Sequence, residues 1–200
     1  MGTCAIGIRV HSGWGALVAV SGDANNLQVI DRRRVDIIDG EAPGSFQPYR
    51  FAQDLDLAAA ERHIAKSAAA SSRLATAALR EAVDQLRDRG FRTTVAAILL
   101  SSARALPELK MILASHPMIH TAEGEFFRQA FREACTALNI PVSGIRERDL
   151  EEEAKAALGK RAVTVKNEIA GMGKIVGAPW TSDHKSAALA AALLLAKHRP

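Results

Sequence analysis

Two hundred residues, 48% of them hydrophobic and 4% aromatic, are enough for one core, and a single domain over 1–200 is expected. The longest unbroken apolar run, 187–196, falls short of the roughly 18 residues of a membrane-crossing helix. No basic-then-apolar leader opens the chain, so the expectation is a cytoplasmic protein without a membrane partner. The net charge of +4 belongs to the tail: residues 160–200 hold seven Lys and Arg against two acids, a balance that attracts a polyanion such as nucleic acid.

Ile6, Ile8 and Val10 alternate with Gly7, Arg9 and His11, the period of a half-buried strand. Gly13-Trp14-Gly15 then turns the chain into a second alternating run at 16–20. Arg9 and His11 therefore share one face of the sheet. Trp14 is a candidate stacking surface for a base, or a packed ring at a hairpin turn. The turn signal at 22–26 leads into a third strand over 27–38 that contains Asp31-Arg32-Arg33-Arg34. Arg32 and Arg34 project to one side, either as a phosphate-tracking stripe or as the charges that guard an edge strand.

Small and apolar residues recur at helical spacing from 57 to 86, with Gly90 as the stop. This Ala- and Ser-rich seam predicts close packing and leaves room for a homodimer. The apolar run 95–100 reads as a central strand that ends at Ser101-Ser102. A short helical piece over 107–113 precedes a helix capped by Thr121, whose inner face is Phe127, Ala130, Phe131, Ala134 and Leu138. A last strand is expected over 140–145, then a helix from a capping box of Asp149 and Glu152 to Gly159. Another helix is lined by Val165, Ile169, Met172 and Val176, and the terminal helix begins at Ser182 or Asp183. Cys4 and Cys135 fall in a strand and a helix and read as buried, reduced thiols.

Two clusters carry chemistry. Asp183-His184-Lys185 opens a helix that is otherwise apolar nearly all round, so these polar groups mark either a site or an N-cap made by Asp183 with Ser182. His116, His120 and Glu123 have the ligand types of a zinc centre. Pro117 argues against one helix through both histidines, and the ordinary alternative puts them in a loop, with Glu123 and Glu125 in the first helical turn answering the dipole.

Three meander strands, two helix-strand alternations and a helical tail resemble the ribonuclease H-like fold, and within it the Holliday-junction resolvases of the RuvC type. Ile6-Gly7-Ile8 with Gly13-Trp14-Gly15, and Pro179 with Asp183-His184-Lys185-Ser186 before the Ala/Leu helix, carry the likeness. It implies an α/β three-layer fold with a mixed five-stranded sheet, three strands antiparallel and two parallel. It also implies two divalent metal ions clamped by carboxylates from the first strand, the end of the fourth, and two positions three apart on the last helix. Here those positions hold Arg9, Ser101 or Ser102, Asp183 and Ser186. Only Asp183 is an acid, and a guanidinium at the first position repels a divalent ion.

The expectation is thus a nucleic-acid-binding or nucleic-acid-processing protein with a degenerate metal site. Its candidate catalytic residues are His11, Ser101 and Asp183, and Arg9, Arg32, Arg34 and Lys185 are its candidate nucleic-acid contacts. A hydrolase or phosphoesterase using His11, His116, His120 and Asp183, with Zn²⁺ in place of Mg²⁺, is the first alternative. An actin-like ATPase relative, which shares the opening strands, is the second.

Overall fold

The structure is a computed structural model that describes residues 1–23, 25–101 and 105–198. Its centre is a five-stranded sheet of β1 (Gly2–His11), β2 (Trp14–Ser21), β3 (Gln28–Asp36), β4 (Phe91–Leu100) and β5 (Val142–Arg146), in the order β3-β2-β1-β4-β5. β1, β2 and β3 pair antiparallel, while β4 joins β1, and β5 joins β4, in parallel. This is the mixed sheet expected from the order of strands and helices. Trp14, expected in the turn, instead begins β2 opposite His11. The turn is the shorter Ser12-Gly13, where Gly13 takes a φ of +81°, open to glycine without strain.

Strand alternation sorts the core into two layers. Cys4, Ile6, Ile8 and Val10 pack with Ala75, Leu79, Phe127 and Phe131 from α2 (Leu57–Asp88) and α4 (His116–Ala137). α1 (Pro48–Ala52) and α3 (Leu109–Leu113) flank these helices. The opposite face carries Ala5, Val18, Val95, Ala97 and Leu99. It is covered by α5 (Leu150–Leu158), α6 (Ala162–Gly171) and α8 (Ser182–Lys197), with α7 (Gly173–Val176) between the last two. The described part of α8 is buried along residues 187–195, which explains a sequence apolar on every side. Cys4 and Cys135 are free and buried, and burial pushes the Cys135 thiol up to about 12.

Three helix starts differ from expectation. α4 begins at His116 and not after Thr121, because Pro117 lies in its first turn, where no backbone N–H is needed. α5 has no capping box: Asp149 sits in a 3-10 turn and its carboxylate pairs with Arg146 and Arg148. The residues expected as one helix through Val176 are split between α6 and α7.

Candidate functional site at the carboxyl ends of the parallel strands

β1, β4 and β5 run parallel, and their carboxyl ends open on the same edge of the sheet, where open α/β sheets leave a crevice. With Ile8 and Val10 committed to one layer, Arg9 and His11 must face the other, toward α8. Gly7 allows α8 to come close: a Cβ there would lie 1.9 Å from the Ala187 carbonyl oxygen. Asp183 stands in the first turn of α8, with Oδ2 3.1 Å from His11 Nε2 and Oδ1 3.9 Å from Arg9 Nε. Arg9 Nη1 is 2.9 Å from Oε1 of Glu147, just beyond the end of β5. Neither the Arg9–Glu147 nor the His11–Asp183 approach is aligned as a hydrogen bond.

Asp183 is free for these contacts because Thr181, and not Asp183 with Ser182, is the N-cap. The Thr181 N–H donates to His184 Nδ1 at 3.2 Å. Trp180 stacks on the His184 ring at 5.7 Å and donates its Nε1–H to the Ile169 carbonyl. Burial, and then the charge of Arg32, lowers the His184 pKa, and Asp183 opposes them. Lys185 and Ser186 occupy the same turn, both half-buried.

At the end of β4, Ser101 Oγ accepts from Arg128 Nη2 at 2.9 Å, and Arg128 Nε donates to the Leu99 carbonyl at 3.2 Å. Arg128 is 6% exposed. Burial depresses its pKa, Glu125 opposes this, and Arg9 and Glu147 are also close enough to act on it. Glu125 lies 3.6 Å from Arg128 and 2.5 Å from Arg132. Ser102, the alternative for this position, lies outside the described residues. Replacing Arg128 with Met should cost about 2 kcal/mol in urea unfolding, because the Leu99 carbonyl and Ser101 hydroxyl lose their donor in a buried setting.

No protein-family model and no curated protein sequence matches the chain. Its architecture, however, matches solved structures. Thermus thermophilus RuvC in complex with a Holliday-junction substrate aligns at a TM-score of 0.54 and 12% identity, covering 97% of this chain and 93% of that one. A second Thermus thermophilus RuvC structure aligns at 0.52 and 11%, covering 96% and 93%. The chain has the RuvC fold. A member of the Ppx/GppA family from Aquifex aeolicus aligns at 0.34 and 13%, covering 80% and 40%.

The side chains at the metal positions implied by the resemblance do not fit two divalent ions. Asp183 and Glu147 are the carboxylates nearest Arg9, whose guanidinium faces both. Among the described residues no three His, Cys, Asp or Glu side chains gather into a metal-holding group. The side chains of His116, His120 and Glu123, expected as a zinc set, do not converge among the described residues. The two imidazoles are on one helix after all, with Nε2 atoms 2.9 Å apart, but Glu123 is buried. Its Oε1 accepts the Arg50 N–H at 2.9 Å, closing the start of α1.

Arg32, expected to track phosphates, donates to the carbonyls of Val176, Ala178 and Pro179 at 2.6–3.0 Å, tying β3 to the segment before α8. Arg34 lies 4.1 Å over the Trp14 ring and bonds Asp36 at 2.8 Å. Trp14, on the strand between Arg34 and His11, stacks on His11 with centroids 4.3 Å apart. Sequence reasoning missed Arg128 and Glu147. Gly124, one turn before Arg128, was the available signal: a Cβ there would stand 3.0 Å from the guanidinium, so the small residue makes room for a buried arginine.

Proposed function

We propose that the chain binds nucleic acid at the carboxyl ends of β1, β4 and β5 and does not cut it by the two-metal route. One observation carries this reading. Arg9 takes the first-strand position and is held against Glu147 and Asp183, so a guanidinium occupies the space between carboxylates that a divalent ion would need. The fold supplies the crevice, and Arg34 and Lys185 supply positive charge beside it. No helix among the described residues is long and apolar enough to cross a membrane, and the whole of 1–200 is read as one ribonuclease H-like domain.

Fluorescence anisotropy with labelled four-way, single-stranded and hybrid-duplex probes tests the reading. Affinity should fall at least about tenfold between roughly 50 and 200 mM salt as phosphate counterions are released. An Arg34→Gln/Lys185→Gln double variant should reduce the salt slope by about two. No affinity for any probe, or Mg²⁺-dependent cleavage lost in Asp183→Asn, would sink it.

A second reading has its own support in the 3.1 Å approach of His11 to Asp183, which is not aligned as a hydrogen bond here but has the proximity that a general base and its orienting acid need. It requires phosphoesterase turnover that His11→Gln abolishes.

A further inference from the structure

A cleft of about 340 Å³ opens beside the ion-pair cluster, between the end of β1, the start of α1 and one face of α4. His11 stands in its wall, together with Gln47, Arg50, His116, His120 and Glu123. We infer that this cleft is a phosphate-binding site, built from Arg50 and the imidazoles of His116 and His120. The phosphate is that of a nucleotide, free or within a strand. Only the strand form rests on the function proposed above.

The lining is rich in donors and poor in accessible negative charge. Arg50 Nη1 is fixed by Gln53 Oε1 at 2.6 Å, which orients the guanidinium and leaves Nε and Nη2 with no partner among the described residues. The His116 and His120 rings stand perpendicular, with their Nε2 atoms 2.9 Å apart. One must donate and the other accept, and the accepting ring then carries its N–H on the outer nitrogen, a donor for an anion. Gln47 adds an amide. The cleft runs along the first turns of α4, a helix of 22 residues, where the dipole favours negative charge.

The one acid in the wall is Glu123, 5% exposed, and its charge is largely withdrawn. Oε1 closes the start of α1, and Oε2 is buried without a hydrogen-bond partner. Burial pushes its pKa up to about 7 against the hydrogen bonds from the Arg50 and Tyr49 N–H groups. Near neutral pH much of it is therefore the neutral acid, which does not repel an oxyanion. A metal is the competing occupant of a histidine-rich cleft, but no three suitable ligands gather there among the described residues. The cleft is also larger than a bare oxyanion needs, so space remains for the sugar attached to it.

The test is a ¹H–¹⁵N titration of the full chain with inorganic phosphate, then with a 5′-mononucleotide, then with a short single-stranded oligonucleotide. All three should shift the same amides, those of Gln47, Arg50, Ile119 and His120. Arg50→Gln and a His116→Gln/His120→Gln double variant should each weaken binding about tenfold or more, with the rest of the spectrum unchanged. Phosphate and mononucleotide binding with a silent oligonucleotide keeps the site and removes the nucleic-acid reading. Oligonucleotide binding that leaves these amides unmoved, or shifts indifferent to Arg50→Gln, overturns the site and leaves the nucleic-acid reading standing.

Discussion

Replacing Gly7 with alanine should lower stability by about 3 kcal/mol or more and, on the proposed function, abolish nucleic-acid affinity in the same step. The added methyl would sit 1.9 Å from the Ala187 carbonyl oxygen, and its neighbours there are backbone, which cannot rotate away. Relief requires α8 to lift from β1. That separates Asp183 from Arg9 and His11 and strips cover from a helix buried over 187–195. Urea unfolding measures the first effect and anisotropy the second. A variant with native stability and affinity would show that the helix does not rest on this glycine.

Stability should also fall as pH rises from about 4.5 to about 7, by about 3 kcal/mol from one residue. Glu123 is ordinarily acidic near 4.5, but burial raises it to about 7 in the folded chain. Below 4.5 both states carry the proton. Between the two values the unfolded chain gives it up and the folded chain keeps it, so the unfolded state gains. Above about 7 both are ionised and the dependence levels off. Glu123→Gln keeps an oxygen for the Arg50 N–H and removes the titration, so its urea midpoint should lack this decline. Parallel curves for the two proteins would mean that Glu123 ionises normally.

The layers were legible in the sequence because they follow from periodicity. Ile6, Ile8 and Val10 against Gly7, Arg9 and His11 fix which residues face α2 and which face α8, and an Ala/Leu run with no polar side has to be covered. The meeting of Arg9 and His11 with Asp183 follows from the same alternation. Arg128 was hidden because an arginine beside Phe127 looks like a solvated charge. Only the pairing of Gly124 with the end of β4 places it inside. Glu147 lies among Arg146, Arg148 and Asp149, where local sequence gives no sign of which charge turns inward. The partners of Arg32 were hidden for the opposite reason: they are three main-chain carbonyls 144–147 residues away, and carbonyls leave no trace in a sequence. Pro117 was read as a helix breaker when its position in the first turn made it a helix starter.

The chain contains two tryptophans, and both stack beside histidines of this region: Trp14 closely on His11, and Trp180 at a greater offset on His184. Its indole emission therefore originates wholly from rings in contact with imidazoles around Asp183. Ultraviolet fluorescence of the unlabelled protein is thus a local spectroscopic window on occupancy and protonation there, with no background from indoles elsewhere in the molecule.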